Sequence, residues 1–150
     1  MLLRVLFLCL LASPILVHPA KKTCLLCHQL LTFNGDKIET EIREEMQKNL
    51  SRILGIEPSE HCLVGDPEKV KQVSCDGPCL SSVAIDNIGA QYLIRQCAPP
   101  ESGELLDPGE CVGVKNEKGS AGVCSCEGHQ CNSGIMKREI EAARSAKVDE

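Results

Sequence analysis

Apolar residues recur at helical spacing from Lys37 onward. Ile38, Ile42, Met46, Leu50, Ile53 and Leu54 lie opposite a charged face of Glu41, Glu44, Glu45 and Lys48. Ahead of this stripe, Asn34-Gly35-Asp36 signals a turn, Asp36 stands as the N-cap, and Glu39 completes a capping box three residues later. Glu44 and Lys48 form an i,i+4 pair in the favourable order, and Gly55 and Pro58 end the run. The pattern predicts an amphipathic helix. Just before it, Cys24-Leu-Leu-Cys27-His28-Gln-Leu30-Leu31 is nearly unbroken in its apolarity and reads as a short helix carrying a structural disulfide.

From residue 60 the periodicity changes. Short valine-rich and isoleucine-rich runs alternate with turn signals, which predicts three hairpins. Leu63-Val64 and the run from Val70 to Val73 flank Gly65-Asp66-Pro67-Glu68. Leu80 to Ile85 and Gln91 to Gln96 flank Asp86-Asn87-Ile88-Gly89. Val112-Gly-Val114 and Gly122 to Ser125 flank Lys115-Asn116-Glu117-Lys118-Gly119. Between the second and third pairs, the stretch from Ala98-Pro99-Pro100 to Pro108-Gly109 reads as a loop. Residues 133–150 are a charged tail in which Met136, Ile140 and Ala143 mark a short helix. The expected organisation is a helical segment over 21–59, a mainly β unit over 60–132 and that tail.

Composition narrows the class. Residues 1–20 read as a secretory signal peptide, with Arg4 ahead of an apolar stretch and Ala20 before Lys21-Lys22. Its removal takes away Cys9, so eleven cysteines become ten, the even number that complete pairing requires. The remaining chain holds one Phe (Phe33), one Tyr (Tyr92) and no Trp. So few large apolar side chains cannot build an ordinary core, and covalent cross-links are expected to compensate. Acidic residues outnumber basic ones, 21 to 16, which argues against nucleic acid and anionic membrane surfaces as partners. The C-terminus lacks the hydrophobic tail of a lipid-anchor signal, so a secreted, extracellular and untethered protein is expected.

Measured from Cys62, eight cysteines fall at offsets 0, 13, 17, 35, 49, 62, 64 and 69. Three hairpins rising from one knot, ending in closely spaced cysteines and Cys-Asn, resemble the three-finger fold of snake toxins and of the lymphocyte-antigen/urokinase-receptor family. More narrowly, Cys62-Leu-Val-Gly65, Cys75-x3-Cys79, Arg95-Gln-Cys97 and Cys124-x-Cys126-x4-Cys131-Asn132 resemble the nematode ET module, an extracellular cysteine-rich domain. Ser125 separates two cysteines that are adjacent in the toxins. The resemblance implies a small disulfide-rich, mainly β three-finger domain with an N-terminal helical segment. It further implies the bridges Cys62–Cys79, Cys75–Cys97, Cys111–Cys124 and Cys126–Cys131, with the Asn132 side chain bonding back to the knot. Cys24 and Cys27 are then left to pair with each other, or to join a second chain in a homodimer. A ten-cysteine variant of the family implies Cys24–Cys79 and Cys27–Cys62 instead, with residues 28–61 inserted in the first finger. The eight-cysteine scheme is preferred, because Cys62 to Cys75 already has first-finger length.

Other chemistries fit poorly. Cys24-Leu-Leu-Cys27-His28 matches a c-type haem attachment pattern, but haem needs an apolar pocket and this chain is almost without aromatics. The βαβ setting of a redox Cys-x-x-Cys is missing. His61 and His129 stand beside cysteines expected to be oxidised, with no nucleophile and base around them, and zinc at His129, Cys124, Cys126 and Cys131 would need reduced thiols. A non-enzymatic protein with no cofactor and no metal is expected. Cys24-x2-Cys27, the amphipathic helix and Ile56-Glu-Pro-Ser-Glu-His-Cys62 also resemble the first half of a saposin, which implies lipid binding through 23–61 as an alternative. The leading expectation is an extracellular protein partner held at the hairpin tips, through Asp86, Asn87 and Ile88 and through Asn116, Glu117 and Lys118. Asn49-Leu50-Ser51 is an N-glycosylation sequon on the margin of the helical stripe.

Overall fold

The computed structural model describes residues 22–31, 40–87, 89–98 and 106–147. The leader over 1–20, the Asp36–Glu39 capping box and Ile88 lie outside them. Strands β1 (Thr23–Leu31), β2 (Lys71–Ser74), β3 (Cys79–Asp86), β4 (Gln91–Cys97), β5 (Cys111–Asn116) and β6 (Gly119–Cys126) form one antiparallel sheet in the order β2-β1-β4-β3-β6-β5. Helix α1 (Thr40–Leu54) lies between β1 and β2 in sequence, and helix α2 (Lys137–Ser145) follows β6. The result is a small, mainly β, disulfide-rich unit.

The Cys-x-x-Cys segment is a strand rather than the short helix expected. Cys24, Leu25, Cys27, His28 and Leu30 are all buried, and burial on both faces is what an interior strand provides. β1 pairs with β2 through Thr23–Leu26 and with β4 through Cys27–Leu31. The sheet therefore draws on both sides of the expected boundary at residue 59. The first expected hairpin does not form. Leu63 and Val64 sit in turns, where the Leu63 N–H donates to Gln29 Oε1 at 2.9 Å, and β2 crosses to β1 instead. The other two hairpins form, β3 with β4 and β5 with β6. Helix α1 forms as its periodicity predicts and ends at Gly55, whose φ of 66° allows its N–H to reach the Ser51 carbonyl at 2.8 Å.

Strand geometry also excludes a bridge between Cys24 and Cys27. Residues three apart on a strand lie about 10 Å apart, beyond the reach of a disulfide. Cys24 instead pairs with Cys79 and Cys27 with Cys62, at Cα separations of 5.4 and 5.7 Å. The expected Cys24–Cys27 and Cys62–Cys79 bridges are replaced, and neither Cys24 nor Cys27 is left for a second chain. The remaining bridges are Cys75–Cys97, Cys111–Cys124 and Cys126–Cys131. Sulfur fills the centre: Cys24, Cys75 and Cys79 are buried together, with Cys97, Cys126 and Cys131 packed against them. In the chain-entropy picture such bridges contribute roughly 2–4 kcal/mol each, more for longer loops. Cys24–Cys79, spanning 55 residues, then constrains the unfolded chain most.

The stretch Cys126–Asn132 closes onto β1. Lys22 pairs with Glu127 at 3.3 Å, Thr23 Oγ1 meets His129 Nδ1 at 2.8 Å, and the Gln130 N–H donates to the Thr23 carbonyl at 2.7 Å. Asn132 completes the clamp. Its Oδ1 accepts from the Leu25 N–H at 2.9 Å, and its Nδ2 donates to the carbonyls of Leu25 at 3.1 Å and Leu80 at 3.3 Å. Beside it the buried Arg95 guanidinium donates to four carbonyls, those of Cys62, Leu63, Asn132 and Gly134. Burial lowers the guanidinium to about 10, while the nearby Glu139 carboxylate acts in the opposite direction. Glu139 in turn accepts a hydrogen bond from Ser81, the direct cross-strand partner of Arg95.

Candidate binding surface

Helix α2 can lie on the sheet only because of two glycines. Gly113 and Gly122 are cross-strand partners on β5 and β6. A Cβ on Gly113 would fall 2.1 Å from the Ala142 carbonyl oxygen, and one on Gly122 would fall 2.0 Å from that of Glu139. The helix backbone thus rests directly on the strands. Its Met136 joins Val83 and Leu93 in a buried cluster flanked by Leu31, Leu63, Ile85 and Ile140.

Alternation sends the neighbouring side chains to the opposite face. One cross-strand row there runs Val112, Val123, Ser82, Ile94 and His28, and the next runs Val114, Ala121, Ala84, Tyr92 and Leu30. At the β1 end these rows are covered. His28 is fully buried, and its Nε2 lies 2.8 Å from Ser51 Oγ of α1. At the β5 end they are open, with Val112 42% and Val114 49% exposed. Pairs of this kind stabilise a sheet even when one side faces solvent, but an exposed apolar row is also an interaction surface.

The two hairpin tips meet at the upper end of this open face. Asp86 is in register with Gly119, and the Asn87 N–H donates to the Lys118 carbonyl at 3.1 Å. Asp86 and Asn116 hold the turns. Asp86 Oδ1 accepts from the Ala90 N–H at 2.8 Å, and Asn116 Oδ1 accepts from the Lys118 N–H at 2.9 Å. Asn87, Glu117 and Lys118 remain exposed around the rim. Between the tips lies a cavity of about 220 Å³ with Ala84, Tyr92, Val114 and Ala121 among its walls. The Tyr92 hydroxyl points to Asp86 Oδ2 at 3.5 Å, and burial, then the Asp86 charge, raise its pKa above the ordinary tyrosine value.

Of the six tip residues expected to bind, five lie in this one region, and Ile88 lies outside the described residues. The sequence reading missed the apolar floor. The signal was present in Val112-Gly-Val114, where two valines flank a glycine at strand spacing, and in Tyr92. Asn49 is exposed on α1. His61 lies 3.7 Å from Glu60, and His129 meets Thr23. The Sγ atoms of Cys24, Cys75 and Cys97, and those of Cys79, Cys126 and Cys131, approach within 4.8 Å of one another, and all six belong to intrachain bridges. No helix among the described residues is long and apolar enough to cross a membrane. No protein-family model, curated protein or solved structure matches this chain.

Proposed function

We propose that the chain is a secreted, non-enzymatic binding protein of three-finger, ET-module-like build, which holds an extracellular protein partner through its joined tips and the open apolar rows below them. In this reading β1–β2, β3–β4 and β5–β6 are the three fingers, and α1 belongs to a long excursion from the first. The observation that carries the proposal is the meeting of the second and third tips over an apolar floor on a disulfide-held sheet. A rigid frame lowers the ordering cost of presenting loops to a partner. The lipid-binding alternative over 23–61 has to rest on α1 alone, because 23–31 is a strand inside the sheet.

The test is capture of a cross-linked partner from extracellular fluid, comparing the unaltered chain with Glu117→Lys and Lys118→Glu together. Loss of one specific cross-linked species in the variant, with retained folding, is the expected result. Equal capture by both chains contradicts the assignment of the tips.

A further inference from the structure

Helix α1 presents two kinds of surface. Gln47, Leu50, Ser51 and Leu54 are half-buried, and Ser51 Oγ donates to the Gln47 carbonyl at 3.0 Å while contacting His28. Another strip of the same helix faces solvent, with Ile42 50% and Ile53 80% exposed. At 100° per residue, Ile42, Met46, Asn49 and Ile53 fall within an arc of about 60°. Asn49 therefore stands inside this strip, one turn from the half-buried Met46 and the exposed Ile53 and about 10 Å along the axis from the exposed Ile42. Asn49 is also the acceptor of the sequon Asn49-Leu50-Ser51.

We propose that Asn49 carries an N-linked glycan whose inner sugars lie over Met46, Ile42 and Ile53, so that the chain's own carbohydrate covers the exposed apolar strip of α1. This inference does not depend on the finger-tip reading. The modification joins Asn49 Nδ2 to the anomeric carbon of an oligosaccharide carried on a lipid diphosphate, the donor class of the secretory compartment. The N–C bond forms, the bond from that carbon to the diphosphate oxygen breaks, and the amide proton leaves with the diphosphate. Side chains on a helix lean toward its N-terminus, so the first sugar is directed over Met46 and Ile42. Sugar rings offer C–H faces to apolar side chains and hydroxyls to water, which suits a strip that would otherwise favour association. The timing follows from the geometry. In the folded helix the Ser51 hydroxyl is engaged with Gln47 and His28, so transfer takes place on the chain before α1 forms.

The test uses the full chain secreted from eukaryotic cells. Peptide mapping after amidase release of the glycan in heavy-oxygen water is expected to show labelled aspartate at position 49, and an unmodified Asn49 in the secreted protein overturns the proposal. The folded glycoprotein is then deglycosylated without denaturation, which avoids any failure of Asn49→Gln to fold. Fluorescence of an apolar-surface dye is expected to rise severalfold on deglycosylation, and to return to the glycosylated level when Ile42→Ser and Ile53→Ser are also present. No rise on deglycosylation, or a rise that the two serines leave in place, overturns the covering role.

Discussion

The two faces of the sheet are built from the same strands and treated in opposite ways. On one face Gly113 and Gly122 let a helix backbone touch the strands, and Arg95, Glu139 and Ser81 are buried beneath or beside it. On the other, the residues next in sequence are Val112, Val114, Ala121 and Val123, and nothing among the described residues covers their β5 end. Two valines standing open beside two glycines that leave room for the helix backbone show how the chain divides its strands between intrachain packing and an outward surface. Substitutions on the two faces should therefore fail in different ways.

The largest effect is expected at Arg95. Arg95→Ala leaves four carbonyls without their donor, and a buried acceptor left unpaired costs about 1–3 kcal/mol. Denaturant unfolding is expected to show a loss of at least about 3 kcal/mol, with the segments 62–65 and 132–134 exchanging amide hydrogens faster. A loss comparable to a surface substitution would mean the guanidinium is not the latch described. Gly122→Val should follow. Its side chain would collide with the Glu139 carbonyl of α2, and overpacking of this kind costs about 1–3 kcal/mol. Release of α2 from the sheet, seen as faster hydrogen exchange over 137–145, is the expected signature.

A pH effect of intermediate size is expected at His28, where α1 meets the sheet. Burial pushes this histidine below its ordinary pKa, opposed by the Ile56 carbonyl and the Glu57 carboxylate. The unfolded chain therefore binds a proton more readily than the folded one. Stability from this site is whole above the ordinary histidine value of 6.5 and falls as pH drops below it. Unfolding midpoints compared at pH 7.5 and pH 5 should decline less in His28→Gln than in the unaltered protein. An identical decline in both would place the effect elsewhere. The smallest stability change is expected for Val114→Asp on the open face, about 1 kcal/mol or less. The same substitution should abolish partner capture, which is the mirror image of Gly122→Val. Retained capture would move the binding surface off these rows.

Much of the local structure was legible in the sequence. The periodicity of Ile42, Met46, Leu50 and Leu54 marked α1, and the turn signals around Asn87 and Lys118 marked two hairpins. What escaped was non-local. A nearly continuous apolar run such as 24–31 fits a short buried helix or an interior strand, and period alone does not separate them. Gly65-Asp66-Pro67-Glu68 was a true turn signal, but the strand after it pairs with β1, more than 40 residues earlier, and no local pattern encodes such a partner. Misplacing β1 carried with it the pairing of Cys24 and Cys27, since connectivity does not follow from spacing. At the candidate site the polar rim was read from its turns. The floor was not, because alternation tells which residues share a face but not which face α2 will cover.

β1 lies between β2 and β4 and ties the first segment of the chain into the sheet, so the bridges that anchor β1 test the account of the fold most directly. Trypsin releases residues 23–37 as one peptide that holds both Cys24 and Cys27. Without reduction, mass spectrometry is expected to find this peptide joined to the peptides that hold Cys62 and Cys79. An internally bridged 23–37 peptide, with Cys62 joined to Cys79, would remove β1 from the sheet and contradict the account.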